Sequence, residues 1–343
     1  MKNFYCDCGQ RVFFDSDSCL ACGRWLGFDP AWLGVVSLSG PAGGVLEAGD
    51  GSLYRHCANA AAYRNCNWLL AADEAEERCV SCRLNRVIPD LDQPGNLQLW
   101  TRVEQAKRRL LYSLLKLRLP IESREGGVGM RFRIMEDQRR NPAVFETFVA
   151  TAHYDGTITV NILEADDAAR HAVREQMQER YRTVLGHLRH ESGHYYFSRL
   201  ANTPELLDAC RRLFGDERDD YNAAIQAHYD QGPPPDWPEH YVSAYASAHP
   251  AEDFAETFAH FLHIDDALET ARTAGLAPGG ASQAAMGSGN WVDDWIGLAI
   301  TLNEILRSLG ADDPYPFVLT EPVRDKLQFM NRLVRRQAGP TGG

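Results

Sequence analysis

Eight of the nine cysteines lie between residues 6 and 82, and the ninth, Cys210, lies far from them. In a reducing compartment, closely spaced cysteines bind metal ions more often than they form disulfides. This distribution therefore predicts a small N-terminal module that folds around metal ions. Cys210 has no comparable neighbours in the sequence, and we expect it to be a buried structural residue.

The first cysteine group has the spacing Cys6-x-Cys8, followed by Cys19-x-x-Cys22. Two close pairs separated by ten residues predict a zinc ribbon. In such a ribbon each pair lies on a tight turn, and four thiolates surround one zinc ion as a tetrahedron. The one-residue spacing of the first pair departs from the usual two.

The second cysteine group contains Cys57, Cys66, Cys79 and Cys82. Only the last two have the spacing of a zinc-binding turn, so this set is less regular than the first. His56 could replace a neighbouring cysteine as a ligand. The two groups together predict two structural zinc ions.

The chain has 343 residues, which suits two domains better than one. The segment DLDQPGN (90–96) contains Pro-Gly and predicts a boundary. We therefore expect a cysteine-rich zinc-ribbon module at 1–92 and a second domain at 93–343. A cytoplasmic location is expected, because the N-terminus lacks the apolar core of a signal peptide.

The second domain alternates helical and strand patterns, which predicts an α+β fold. Strands are expected at 128–136, 145–154 and 157–165, and Asp155-Gly156 predicts a hairpin between the last two. Helical patterns occupy 97–119, 168–199, 203–230, a segment from Pro250 onward, 290–309 and 321–336. The polar segment 203–230 and the loop 273–290 are candidate lids.

The helical segment contains the motif His190-Glu191-Ser192-Gly193-His194. Histidines four residues apart lie on one face of a helix, so both imidazoles can reach one metal ion. Glu191 lies about 100° further round, where it could contact a metal-bound water as general base. His187 is a spare candidate ligand. Gly193 is costly inside a helix and predicts the close approach of another backbone.

A zinc peptidase needs a third protein ligand. Phe197 and Leu200 occupy the positions where a metzincin would continue its motif, which excludes that class. The segment HPAEDFAETFAHFLHI (249–264) instead carries Glu252 and Glu256 one turn apart on a face rich in alanine. Glu252 is favoured as third ligand, with Glu256 bonding a ligating imidazole, and the opposite assignment stays open.

A tyrosine near this segment could take part in catalysis. Tyr245 lies seven residues before Glu252, and its phenol could hydrogen-bond the oxyanion of a tetrahedral intermediate. Tyr241 competes for that role. A packed loop tyrosine without a catalytic role is an equally good interpretation.

Several sequence strings together resemble a bacterial family of zinc-binding metallopeptidases with an N-terminal zinc ribbon. The resemblance covers nearly the whole chain and rests on CGRWLGFDP (22–30), CNWLL (66–70), CVSCRLNRVIPDL (79–91), LRHESGHYYF (188–197), HPAEDFAETFAHFLHI (249–264) and DPYPFVLT (313–320). The spacing of Tyr245 and Glu252 is also similar to that in the anthrax lethal factor and DgsA anti-repressor peptidases.

The resemblance implies a gluzincin-like zincin domain, mostly helical with a small sheet. It implies one catalytic zinc ion on His190, His194 and Glu252, with Glu191 as base. The predicted activity is peptide-bond hydrolysis on a peptide or protein substrate, which could pair with strand 157–163. The alternative is a zinc-stabilised protein-binding or regulatory module whose HExxH site is vestigial or gated.

Charge and hydropathy limit the partners. The formal net charge of −12 disfavours nucleic acid as the main partner, although residues 107–119 carry five cations. No apolar run reaches the roughly 18 residues that a membrane span needs. A protein partner docking on the zinc-ribbon module is the remaining expectation.

Overall fold

The computed structural model describes residues 1–41, 43–121, 129–170, 183–276 and 291–337. The chain divides into two compact units. The N-terminal unit comprises the described residues within Lys2–Gln176 and Thr183–Leu188. The C-terminal unit comprises Met1 and the described residues within Met177–Arg182 and Arg189–Gly343. The boundary expected near residue 92 remains a prediction.

Two small antiparallel sheets form the cysteine-rich part of the N-terminal unit. The strands are β1 (Phe4–Tyr5), β2 (Arg11–Val12), β3 (Trp25–Asp29), β4 (Gly34–Ser39), β5 (Leu46–Ala48), β6 (Leu53–His56) and β7 (Leu69–Ala71). β1 pairs with β2, and β3 to β7 form a sheet in chain order. The ring of Phe28 lies 4.8 Å from that of Phe14 and 5.0 Å from that of the fully buried Trp68. This aromatic cluster gives the small sheets an apolar core.

A four-stranded sheet and a long helix complete the N-terminal unit. The elements are α1 (Ala58–Tyr63), α2 (Val80–Arg83), β8 (Asn85–Val87), α3 (Asn96–Lys116), β9 (Arg131–Met135), β10 (Ala152–Tyr154) and β11 (Thr157–Asn161). The strand order is β10-β11-β9-β8. β10 and β11 form the predicted hairpin, with positive φ at Asp155 and Gly156. The hairpin prediction is therefore confirmed.

The strand predictions around this hairpin need two corrections. β11 pairs with β10 on one side and with β9 on the other, so the expectation that 157–163 pairs with substrate backbone is wrong. The strand predicted at 145–154 is limited to Ala152–Tyr154. Its earlier part is irregular, because the backbone N–H of Val149 donates to the buried carboxylate of Asp137 rather than to a strand.

The secondary-structure elements of the described C-terminal unit are all helices, joined by irregular segments. Its helices are the last part of α4 (Val184–Leu200), then α5 (Pro204–Phe214), α6 (Tyr221–Gln231), α7 (Trp237–His240), α8 (Pro250–Thr273), α9 (Trp291–Ser308) and α10 (Glu321–Gln337). The polar segment predicted as helical over 203–230 forms two helices, and Gly215 (φ +99°) ends the first. Residues 171–182 of the predicted helix and 277–290 of the predicted loop lie outside the described residues.

Helix α8 places the carboxylates of the later motif. It begins where the His249 side chain accepts a hydrogen bond from the N–H of Ala251 and Pro250 takes the first helical position. Its buried aromatic face contains Phe254, Phe258 and Phe261. The carboxylates therefore lie on a different face from the aromatic core.

The two motif helices approach each other closely at Gly193. A Cβ atom added at Gly193 would lie only 2.8 Å from the Cα atom of Ala255. Ala255 is completely buried. The predicted close approach of another backbone is confirmed, and it brings the motif of α4 against the carboxylates of α8.

The described architecture is a mixed α+β fold, with small sheets in the cysteine-rich region and a mostly helical C-terminal region. Lys107 and Arg108, two of the five cations within residues 107–119, are buried. In the described parts of the chain every helix is too short or too polar to cross a lipid bilayer.

Candidate metal centres

Three groups of side chains in the described residues could each hold a metal ion. Within each group the ligand atoms lie within 4.8 Å of one another. The groups are Cys6, Cys8, Cys19 and Cys22; Cys57, Cys66, Cys79 and Cys82; and His190, His194 and Glu252. The structure thus brings the favoured ligands together in three groups, whereas the spare candidates His56 and His187 belong to none of them.

The first cysteine group lies close to the surface. The Sγ atoms of Cys6 and Cys22 are 3.6 Å apart, and those of Cys8 and Cys19 are 3.7 Å apart. Tetrahedral zinc with Zn–S bonds of about 2.3 Å separates its sulfur ligands by about 3.8 Å. Cys8 and Cys22 are exposed, whereas Cys6 and Cys19 are buried. The spacing fits a zinc ion, and the one-residue gap in the first pair does not disturb it.

All four cysteines of the second group are buried. Cys66 Sγ lies 3.7 Å from the Sγ atoms of both Cys79 and Cys82. Hydrogen bonds from these three thiols hold the pKa of the Cys57 thiol well below its ordinary value. The 3.7 Å separations of the sulfur atoms match those of a tetrahedral zinc site, so this group also fits a zinc ion. His56 is not part of the group.

The third group joins helix α4 to helix α8. Glu252 Oε2 lies 2.9 Å from His190 Nε2 and 3.4 Å from His194 Nε2. The two Nε2 atoms are 3.1 Å apart. A tetrahedral zinc ion with bonds of about 2.0–2.1 Å would separate such ligand atoms by about 3.3–3.4 Å. The triangle has the size that a zinc ion requires.

The orientation of these groups supports the same interpretation. Glu252 Oε2 is buried and, despite its short distances to the two imidazoles, forms no well-directed hydrogen bond. Burial would raise the pKa of Glu252, but His190 and His194 outweigh it and hold the pKa well below its ordinary value. Two imidazoles and an ionised carboxylate therefore face one point, as ligands of a cation do.

Glu256 supports His190 from the opposite side of the ring. Its Oε1 atom lies 2.6 Å from His190 Nδ1, and its Oε2 atom accepts a 2.6 Å hydrogen bond from the Ser243 hydroxyl. Burial would raise the pKa of Glu256, but His190 and other groups lower it to about 2. An ionised carboxylate on Nδ1 fixes the ring so that Nε2 faces the metal position.

The charge around His190 has a consequence for metal binding. Burial alone would lower the pKa of His190, but Glu252 and Glu256 hold it well above its ordinary value. Such a site attracts a proton strongly, and it attracts a metal cation for the same reason. The two compete, so metal affinity should rise with pH.

Tyr221 is a residue of this centre that the sequence analysis missed. It is the first residue of α6, and its hydroxyl donates a 2.8 Å hydrogen bond to Glu252 Oε1. That bond leaves Oε2 facing the imidazoles. No spacing in the sequence links Tyr221 to a motif 31 residues away, so only the structure reveals this contact.

Glu191 and Tyr245 lie beside the three ligands. Glu191 is 8% exposed, and no other described residue forms a hydrogen bond or an ion pair with its carboxylate. The ring of Tyr245 packs between those of His190 and His228, with 5.9 Å between ring centroids in each pair. Tyr241, the competing tyrosine, instead packs against the ammonium group of Lys326.

His187, the spare candidate ligand, and His260 on helix α8 both lie outside the metal-binding group. His187 Nδ1 is 3.3 Å from Glu164, and His187 is not part of the metal-binding group. His260 Nδ1 lies 2.9 Å from the Tyr315 hydroxyl. Both therefore have partners away from the three candidate ligands.

Comparison with known proteins identifies the family to which this chain is similar. The model of the family described as "Putative zinc-binding metallo-peptidase" matches residues 96–333. A zinc-ribbon domain model matches residues 3–93. Uncharacterized proteins of Mycobacterium tuberculosis and Mycobacterium bovis are each 41% identical over 343 residues, which covers 97% of this chain and 95% of the relative. No solved structure matches the chain.

Proposed function

Because the chain belongs to this zinc-binding metallopeptidase family, with an N-terminal zinc-ribbon domain, we propose that it hydrolyses peptide bonds with zinc as cofactor. His190, His194 and Glu252 would hold the catalytic ion, as in a gluzincin. The substrate class is a peptide or protein. Two further zinc ions, one in each cysteine group, would have structural roles.

The observation that carries this proposal is the set of three converging ligands beside an uncommitted carboxylate. Three protein ligands leave one position of a tetrahedral zinc ion for water or substrate, which distinguishes catalytic from structural sites. Glu191 follows directly after a ligand in the sequence, and its carboxylate forms no hydrogen bond or ion pair with another described residue. A carboxylate in this position is available as a general base.

The side chains around the ligands would divide the reaction between them. When bound, zinc would polarise the scissile carbonyl and lower the pKa of the attacking water. Glu191 would accept the proton of that water and deliver it to the leaving amine. Tyr245 would donate its phenol hydrogen to the carbonyl oxygen as negative charge develops. Burial and then the nearby Glu252 raise the pKa of Tyr245, which keeps the phenol a donor at neutral pH.

The test is to measure zinc content and peptide hydrolysis on the same samples of wild type and Glu191→Gln. Elemental analysis should give three zinc ions per chain in both. Hydrolysis of a mixed peptide library, followed by mass spectrometry, should fall about 10²- to 10⁴-fold in Glu191→Gln, the usual contribution of a general base. Retained zinc with lost hydrolysis assigns the carboxylate to catalysis.

Matched histidine variants define the catalytic ion. His190→Ala/His194→Ala should lose one zinc ion, and His187→Ala, which removes a histidine outside the group, should lose none. Undiminished hydrolysis in Glu191→Gln would show that the mechanism is wrong. Zinc binding at all three sites without hydrolysis of any peptide would instead favour a binding or regulatory module.

A further inference from the structure

The outer face of the four-stranded sheet carries two arginines that no described residue neutralises. Arg131 and Arg133 lie two residues apart on β9. Neither side chain forms a hydrogen bond or an ion pair with another described residue. Elsewhere on the same unit, Arg139 pairs with Asp137 at 2.5 Å. Among the described residues these two cations therefore leave a local positive charge, on a chain whose formal net charge is −12.

Residues of the neighbouring strands form a groove around these two arginines. In the register of β9 and β11, Thr157 lies beside Arg131 and Thr159 lies beside Arg133. The opposite face of the sheet is apolar and buried. We call the groove the arginine groove, and it is lined by Arg131, Arg133, Tyr154, Asp155, Thr157 and Thr159. It presents two guanidinium groups and two hydroxyls to solvent.

We propose that the arginine groove binds an extended acidic polypeptide segment with carboxylates at alternate positions. In a strand, side chains on one face are about 6.6 Å apart, because each residue advances about 3.3 Å. Arg131 and Arg133 have this spacing along β9, so an extended ligand can present one carboxylate to each. Guanidinium groups bind carboxylates in a bidentate manner, and threonine hydroxyls supply further donors.

The shape of the groove favours a polypeptide over a single phosphate. The two arginines are spaced along a strand and belong to separate Arg–Thr pairs, whereas a phosphate site gathers its donors around one point. Tyr154 is 85% exposed and offers an aromatic surface to neighbouring side chains. β10, which carries it, is the edge of the described sheet.

Asp155 makes one end of the groove negatively charged. It lies at the hairpin turn, at the end of the groove next to Thr157. Its carboxylate would repel an acidic residue placed there. The ligand should therefore carry its acidic residues opposite the arginines and none opposite the turn.

The experiment measures binding of a labelled peptide with glutamate at alternate positions by fluorescence anisotropy at low ionic strength. The full chain carries Glu191→Gln so that hydrolysis cannot remove the peptide. Arg131→Gln/Arg133→Gln should weaken binding about tenfold, because two exposed charge pairs are lost. Asp155→Asn should strengthen binding about twofold, and asparagine tolerates the positive φ at this position.

The control Arg212→Gln/Arg336→Gln removes two exposed arginines from the C-terminal unit and should leave binding unchanged. Equal binding by all variants would overturn the proposal. So would competition by inorganic phosphate or a single-stranded oligonucleotide at lower concentrations than the peptide, which would make the groove a phosphate site. Failure of Asp155→Asn to strengthen binding would also contradict it, even if the double variant were unstable.

Discussion

The cysteine groups and the His-His-Glu group both bring their ligand atoms within 4.8 Å of one another, but they suit different roles. Each cysteine group offers four thiolates, which complete a zinc tetrahedron and leave no position for a substrate. The His-His-Glu group offers three ligands and has Glu191 beside it. Ions in the cysteine groups would therefore stabilise the fold, whereas an ion in the His-His-Glu group would take part in a reaction.

The two kinds of site also differ in what brings their ligands together. The ligands of the second cysteine group lie on short turns around small elements, such as α1 and α2. His190, His194 and Glu252 instead project from two long helices, which pack tightly where Gly193 meets Ala255. Helix packing can therefore form the third site without metal, whereas the cysteine groups depend on the ion itself.

Removing one ligand from each kind of site should have the largest effect and tests this contrast directly. Cys66→Ala should lose a zinc ion and unfold the cysteine-rich region, because structural zinc contributes apparent binding energies of about 10–16 kcal/mol in small domains. His194→Ala should lose its zinc ion with little change in melting temperature. Differential scanning calorimetry and limited proteolysis measure both effects.

Cys210→Ala is the matched control for the cysteine variant. Cys210 is also buried, at 1% exposed, but belongs to none of the three groups. It should cost only the packing of one small side chain, about 1–2 kcal/mol. If Cys66→Ala and Cys210→Ala destabilise the protein equally, the second cysteine group is not a structural metal site.

Acid should lower the free energy of unfolding through a buried histidine. His260 is 5% exposed, and burial lowers its pKa to about 4. Because the folded pKa lies below the unfolded value of about 6.5, His260 favours folding above pH 6.5, and that stability is lost as pH falls towards 4. The total change is about 3 kcal/mol.

Urea unfolding at several pH values checks this expectation. His260→Phe should flatten the fall in stability between pH 6.5 and 4 relative to wild type, whatever its stability at neutral pH. His240→Phe replaces an exposed histidine and should leave the slope unchanged. Equal slopes in wild type and His260→Phe would mean that His260 is not neutral in the folded protein.

The carboxylate behind His190 should affect metal affinity without being a ligand. Glu256→Gln keeps the size of the side chain but removes the charge that orients Nδ1 of His190. Losing such a partner typically weakens metal binding about 10- to 100-fold. Zinc competition with a chromophoric chelator measures the change.

Two further variants, Glu252→Gln and Glu239→Gln, should have a larger effect and no effect on zinc affinity, respectively. Glu252→Gln removes a proposed ligand charge and should weaken binding more than Glu256→Gln does. Glu239 is exposed, and its variant should bind zinc as wild type does. A larger effect at Glu256 than at Glu252 would reverse the assignment of ligand and supporting carboxylate.

Local motifs allowed much of this architecture to be predicted. Histidines four residues apart, Gly193 and the acidic face of α8 indicated two packed helices, and the structure brings these residues together. Helical periodicity fixes such neighbours once the helix is recognised. The Asp155-Gly156 hairpin was recognisable because its turn geometry demands those residues.

Contacts across long sequence separations could not be predicted in this way. The parallel pairing of β9 with β11, which closes the edge of β11 that β10 does not cover, has no local signature. The segment before Ala152 has a strand-like composition, yet the side chain of Asp137 takes the hydrogen bond from Val149. Tyr221 was missed for the same reason, since its partner lies on another helix.

Removing the hydroxyl of Tyr221 should have the smallest effect, and it tests how Glu252 of the His-His-Glu group is oriented. Tyr221→Phe removes the hydrogen bond to Glu252 Oε1 while keeping the ring that packs against His249. The loss should be about 1 kcal/mol, or about fivefold in zinc affinity, because water can replace a partly exposed hydroxyl. Tyr245→Phe removes no direct hydrogen bond to Glu252 and should reduce hydrolysis while changing zinc affinity less than Tyr221→Phe does. If the two variants behave in the opposite way, Tyr221 is the catalytic tyrosine and Tyr245 the supporting one. The cysteine groups should show no such division, since four cysteine ligands leave no position for a substrate on a tetrahedral ion.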